Sequence, residues 1–188
     1  VANNLTDGDG GGAYNYYSEL TLINTTVSGN QANGSGGGMV EESTDTLHLY
    51  NATITDNVAD ADGDGFGDGG GLVAGGSIYV TNSILAGNAD LSAGAEIQVH
   101  PDCTVWFSPT VFANSFNVVG DNSGCEDIFV DGVSGNQVGS ANNPLNPGSS
   151  ATAWTTSWLR WMTPTAWAVG SARRAVPIAG RAPIKATR

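Results

Sequence analysis

Apolar and polar positions alternate along three stretches of the chain in one shared frame. The stretches are LTLINTTVSGN (20–30), LHLYNATITDN (47–57) and IYVTNSILAGN (78–88). Each reads apolar-x-apolar-x-Asn-x-x-apolar-x-x-Asn. The first Asn is Asn24, Asn51 and Asn82, and the second is Asn30, Asn57 and Asn88. Alternation with a period of two, in segments rich in Thr, Val, Ile and Leu, predicts short β-strands. Leu20 and Leu22, Leu47 and Leu49, and Ile78 and Val80 then point to one side, and Thr21, His48 and Tyr79 to the other. A linker and three glycines follow two of the copies, as GGGMV (36–40) and GGGLV (69–73), whereas the third carries GAEIQV (94–99). VANNLTDGDGGGAY (1–14) matches the end of a repeat without its preceding strands, so the sequence is expected to open inside a repeat.

The copies recur after 27 and then 31 residues, and the difference falls in the loop before the glycines. Self-similarity at this period predicts a solenoid. One unit cannot bury its apolar face alone, but stacked units can, at about 4.8 Å per coil. An Asn at a fixed place in each coil can hydrogen-bond to its copies above and below, as a ladder. Glycine admits the positive φ of a tight corner. A β-sandwich with coincidental Asn residues is the competing arrangement, and three copies of the same two-Asn frame weigh against it. The expectation is an all-β parallel β-helix over 1–148, with Asn24, Asn51 and Asn82 stacked, followed by an irregular tail at 149–188.

The frame NxxφxxN…GGG resembles the repeats of right-handed parallel β-helix proteins of the polymorphic-outer-membrane-protein type. FNVVGDNSGCEDIFVDGVSGNQVGSANNPLNP (116–147) is similar to the final part of secreted bacterial β-helix proteins with choice-of-anchor C-terminal regions. The two together span roughly residues 1–148. The resemblance implies a right-handed coil and an extracellular or cell-surface location, and it assigns no reaction.

Composition narrows the partners. The chain has 188 residues, enough for one domain with a core, and a net charge of −12. All 18 Asp and Glu lie at or before Asp131, and all six Lys and Arg lie at or after Arg160. Binding to nucleic acid, which neutralises phosphates with Lys and Arg, is therefore not expected. No run of 18 apolar residues is present, so no transmembrane segment is expected. A monomer, or one part of a longer chain, is the expected state. Segment 149–188 breaks the pattern and holds four of the five Trp. Trp154, Trp158 and Trp161 have the spacing of an amphipathic anchor helix, limited by Pro164. A one-base shift of reading frame explains more: it accounts together for the lost acids and the sudden Trp and Arg. Such a tail has no core face and is expected to be poorly ordered.

DADGDGFGDGGG (60–71) carries the densest chemistry. Counted from Asp60, carboxylates fall at positions 1, 3, 5 and 9 as Asp60, Asp62, Asp64 and Asp68, with Gly65 at 6 and the Phe66 carbonyl at 7. That is the oxygen spacing of an EF-hand-type calcium loop, but position 12 is Gly71 where a bidentate Glu belongs. The expectation is weak Ca²⁺ binding by Asp60, Asp62, Asp64, Asp68 and the Phe66 carbonyl; a solvated acidic turn is the alternative. Cys103 and Cys125, the two cysteines, are expected to pair in an exported protein. Two Cys and two distant His are too few for zinc, and His48 and His100 read as surface residues rather than catalysts.

Two functions remain. The first is a non-enzymatic extracellular or cell-surface β-helix, adhesin-like or glycan-binding, whose flat faces present Thr, Ser, Asn and Tyr to a polysaccharide or another surface ligand. The second is a polysaccharide lyase or glycoside hydrolase on the same fold. A lyase wants a basic side chain, and none precedes Arg160; Glu41, Glu42 and Asp45 cluster in one loop, and no equivalent acid faces them at the same repeat position. An ice-binding solenoid ranks last, because the exposed Thr form no regular column.

Overall fold

The computed structural model describes residues 1–42, 46–93, 99–107 and 111–146. The chain winds through four strands per coil. The first coil contains β1 (Leu5–Thr6), β2 (Ala13–Asn15), β3 (Leu20–Ile23) and β4 (Thr26–Ser28). The second contains β5 (Gln31–Ala32), β6 (Met39–Glu41), β7 (Thr46–Tyr50) and β8 (Thr53–Thr55). The third contains β9 (Val58–Ala59), β10 (Leu72–Ala74), β11 (Ser77–Thr81) and β12 (Ile84–Leu85). The fourth contains β13 (Ala89–Asp90), β14 (Cys103–Val105), β15 (Val111–Ser115) and β16 (Val118–Val119), and β17 (Gln137–Val138) adds a last rung. Strands four apart in order pair in parallel, and β16 pairs in parallel with β17, giving the sheets β1-β5-β9-β13, β2-β6-β10-β14, β3-β7-β11-β15 and β4-β8-β12-β16-β17. This is a parallel β-helix. The tail at 149–188 lies outside the described residues.

Register stacks like on like. Leu20, Leu47 and Ile78 align, as do Leu22, Leu49 and Val80, and on another sheet Val27, Ile54, Leu85 and Val119. Leu47, Leu49, Ile78 and Val80 are fully buried, while Leu20 and Leu22 in the first coil are half-buried, as the end of a stack requires. Removing these side chains from water is the main stabilising term, at about 1.5–3 kcal/mol each.

Both Asn columns are ladders, and they differ. Asn24, Asn51 and Asn82 sit at exposed corners in left-handed conformation, with φ of 51°, 53° and 51°. Nδ2 of Asn51 donates to Oδ1 of Asn24 (3.1 Å), and Nδ2 of Asn82 donates to Oδ1 of Asn51 (2.7 Å). Asn tolerates this backbone better than other side-chain-bearing residues, which is its first role here. The second column is buried from Asn30 to Asn88 and runs the other way. Nδ2 of Asn4 donates to Asn30 (2.8 Å), Asn30 to Asn57 (2.9 Å) and Asn57 to Asn88 (2.9 Å). Each accepting Oδ1 also takes the backbone N–H of the Asn before it, at 3.0–3.1 Å. The carboxylate of Asp102 ends the column: Oδ1 accepts from N and Nδ2 of Asn88, and Oδ2 accepts from the N–H of Asp121. A carboxylate only accepts, so it is suited to terminate a run of donors.

The glycine triplets explain where Asp102 comes from. Gly10, Gly36 and Gly69, first in each triplet, have φ near +66° to +70°. The third glycines fail a different test: a Cβ on Gly12, Gly38 or Gly71 would fall 2.7–3.0 Å from Nδ2 of Asn30, Asn57 or Asn88. In the fourth coil that place belongs to Asp102, because Leu72 pairs with Cys103. The expectation that GAEIQV takes the triplet's place is thus corrected: PDCTV (101–105) does. Its Asp side chain fills the slot that a further ladder Asn would fill. Cys103, Cys125, Ile128 and Phe129 then cap the core at this end, with a Cys103–Cys125 disulfide spanning a Cα–Cα distance of 5.9 Å.

Candidate functional site

Three groups of side chains outside the core carry chemistry: an outer band on the β3-β7-β11-β15 sheet, the acidic loop, and a cluster around His100.

Alternation along β3, β7 and β11 turns Thr21, His48 and Tyr79 outward in one register row, and Ile23, Tyr50 and Thr81 in the next. His48 stacks on Tyr79, with ring centroids 4.6 Å apart and planes 16° apart. Its Nδ1 lies 3.1 Å from the Tyr50 hydroxyl and its Nε2 lies 3.3 Å from Oε1 of Glu19. Glu19 leads to the corner between β2 and β3, where Tyr14, Tyr16 and Tyr17 are 45%, 57% and 65% exposed. Tyr16 packs edge-on against Tyr17 at 4.2 Å, and hydrogen bonding to Tyr17 raises the Tyr16 phenol above its ordinary pKa. Tyr17 holds φ of 52°, an unusual conformation for an aromatic residue. Nδ2 of buried Asn15 secures this turn by donating to the Ser18 carbonyl (2.5 Å). The band is a row of hydroxyl, imidazole and phenol tips along the sheet and the corner beside it.

The acidic loop brings Asp60, Asp62 and Asp64 together: one carboxylate oxygen of each lies within 4.8 Å of the others. Asp60 is fully buried and accepts the Gly65 N–H on both oxygens, while Asp62 and Asp64 are exposed. The Phe66 side chain is 82% exposed, and its N–H donates to Asp64 (2.9 Å). Asp68 does not join this group. Its Oδ1 accepts from Gly69 N–H (2.8 Å) and lies 2.7 Å from Nδ1 of His100, and its Oδ2 accepts from the Thr104 hydroxyl (3.1 Å). The expected ligand set is corrected by this geometry. Gly67 passes so close to Asp60 and Gly34 that a Cβ there would fall 2.7–2.8 Å from their atoms, so a side chain does not fit between the acidic cluster and Asp68.

His100 is likewise not the lone surface residue that the sequence led one to expect. Its backbone N–H donates to Oδ2 of Asp90 (2.9 Å). Its pKa is raised chiefly by the hydrogen bond to Asp68, against the opposing effect of burial, with Asp90 and Glu126 adding attraction. Val99, His100, Ser123, Gly124 and Glu126 line an open cleft of about 390 Å³. The sequence showed the Asp and the His, with no spacing to connect positions 32 residues apart.

Glu41 faces the interior. It aligns with Asn15 and Ala74 on the inner side of its sheet, is fully buried, and accepts a hydrogen bond from Nδ2 of Asn15. A buried carboxylate bound to an amide is not placed to meet a polymer, and Asp45 lies outside the described residues. Among the described residues no helix is long and apolar enough to cross a membrane. No protein-family model matches the chain, and neither a curated protein nor a solved structure is found to be similar to it.

Proposed function

We propose that the chain is a non-enzymatic β-helix of an extracellular or cell-surface protein, and that the band from Tyr14, Tyr16 and Tyr17 through Glu19 to His48, Tyr50 and Tyr79 binds a glycan. The observation that carries this reading is the band itself: exposed Tyr14, Tyr16 and Tyr17 at the corner, continued by the partly exposed rings of His48, Tyr50 and Tyr79 in register on the sheet. Aromatic faces suit the C–H faces of sugar rings, and hydroxyl and imidazole tips suit their hydroxyls. The absence of Lys and Arg before Arg160 favours neutral polymers over polyanions. The disulfide supports an oxidising compartment. Affinity electrophoresis against a panel of neutral and acidic polysaccharides tests it. Retardation by a neutral polymer, lost in Tyr16→Ala/Tyr17→Ala and Tyr79→Ala with the far-UV spectrum unchanged, is expected. Equal mobility of wild type and variants on every polymer refutes it.

Calcium belongs to the same reading as a loop-ordering ion at Asp60, Asp62 and Asp64. With three carboxylates and no bidentate Glu, the dissociation constant is expected on the order of 10⁻⁴–10⁻³ M. Calorimetric titration with CaCl₂ should show heat that Asp62→Asn/Asp64→Asn removes; no heat above dilution in the wild type rejects the ion.

A further inference from the structure

We propose that Asp68 and His100 form a pH-operated clasp that pins the end of the acidic loop to the coil carrying the disulfide. The clasp goes beyond the glycan reading and does not depend on it.

The geometry is that of a built contact. Asp68 lies at the end of the 60–68 loop, just before the left-handed Gly69. Its carboxylate is held by three partners from two directions: Gly69 N–H and His100 Nδ1 on one oxygen, Thr104 hydroxyl on the other. His100 is fixed in turn. Its N–H is tied to Asp90, its ring edge lies against Gly124, where a Cβ would fall 2.6–2.7 Å from the ring, and Cys103 follows three residues later. Its side chain is 15% exposed, so the pair is partly shielded from solvent. The side chain of Ser92 donates to the Gly67 carbonyl (2.8 Å), a second tie beside the first that carries no charge.

The charges around the ring share one sign. Asp68 reaches it from the loop, Asp90 from the end of β13 and Glu126 from the turn after Cys125. The chain has no Lys or Arg before Arg160 to compete for these carboxylates. Imidazolium is therefore the one cation available to them among the described residues near the loop. The His100 pKa is raised above 6.5, so the charged pair is fully formed below that value and is lost as pH rises through the raised one. At higher pH a neutral ring still donates from Nδ1, but the charge assistance is gone.

The test is an NMR titration of the native, disulfide-bonded protein from about pH 5 to about pH 9, following the His100 ring and the Gly69 amide. The expected result is a His100 midpoint above 6.5, the Gly69 signal moving with the same midpoint, and a lowered midpoint in Asp68→Asn. A His100 midpoint at or below 6.5 in the wild type overturns the clasp without recourse to any variant. So does a Gly69 amide that fails to follow the ring, or an Asp68→Asn midpoint equal to that of the wild type.

Discussion

Replacing Asn57 and Asn51 by Ala separates the two ladders, because the residues share a motif and differ in surroundings. The Asn57 side chain makes four hydrogen bonds at zero exposure. Oδ1 accepts N and Nδ2 of Asn30 (3.0 and 2.9 Å), and Nδ2 donates to the Val27 carbonyl and to Asn88 (3.0 and 2.9 Å). Asn57→Ala strands the Asn30 N–H and one hydrogen of its Nδ2, which keeps only the Val1 carbonyl (3.3 Å), at a buried site. At about 1–3 kcal/mol for each stranded group, the loss is about 2–6 kcal/mol. That is a large part of the ~5–15 kcal/mol that holds a typical domain together. Asn51 makes its two ladder contacts in solvent, which replaces them. The cost of Asn51→Ala is then chiefly that of placing Ala at φ of 53°, about 1 kcal/mol, and Asn51→Gly should recover it. Urea unfolding followed by circular dichroism gives all three values if the m-values agree. If Asn57→Ala falls within about 1 kcal/mol of Asn51→Ala, burial is not what gives the inner ladder its worth, and the reasoning fails.

Two further outcomes are expected. Asp102→Asn keeps an acceptor for Asn88 but aims an amide N–H at the Asp121 N–H, so it should destabilise by about 1–3 kcal/mol at neutral pH. Burial holds the Asp102 carboxyl above 3.8, against the hydrogen bonds from Asn88 and Asp121; the resulting contribution is complete below 3.8 and lost as pH rises through the folded value. The melting temperature of wild type minus that of Asp102→Asn should therefore narrow from acid toward neutral pH, and a widening gap refutes the assignment. Cys103→Ala/Cys125→Ala should lower stability by about 3 kcal/mol from the 22-residue separation, with the strand content retained; chemical denaturation reads the first and far-UV circular dichroism the second.

What repeats could be read from the sequence, and what occurs once could not. The strand frame, the inward Leu and Ile columns and both Asn columns stand out because three copies say the same thing. Periodicity is silent on burial, so it did not tell the exposed Asn51 from the enclosed Asn57. Asp102 has no counterpart in the other coils, and only the register of Leu72 with Cys103 shows that it stands where a glycine stood. The acidic loop was legible as a cluster for Asp60, Asp62 and Asp64, which are neighbours along the chain. Asp68 was not, because its partner is a histidine 32 residues away, brought near by the winding of the coil.

The buried Asn column has a direction, and direction makes the repeats interchangeable on one side only. Each Asn from Asn30 to Asn88 presents an acceptor to the coil before it and a donor to the coil after it. A rung copied between Asn30 and Asn57 would meet the neighbours it was shaped for, and the solenoid would lengthen by about 4.8 Å without a new joint. Past Asp102 there is no such freedom. Both of its oxygens are already taken, one by each adjoining coil, and it offers no proton to a residue beyond. The molecule can thus be read as a rod whose inner couplings are identical from Asn30 to Asn88 and change once, from amide to acid, at Asp102.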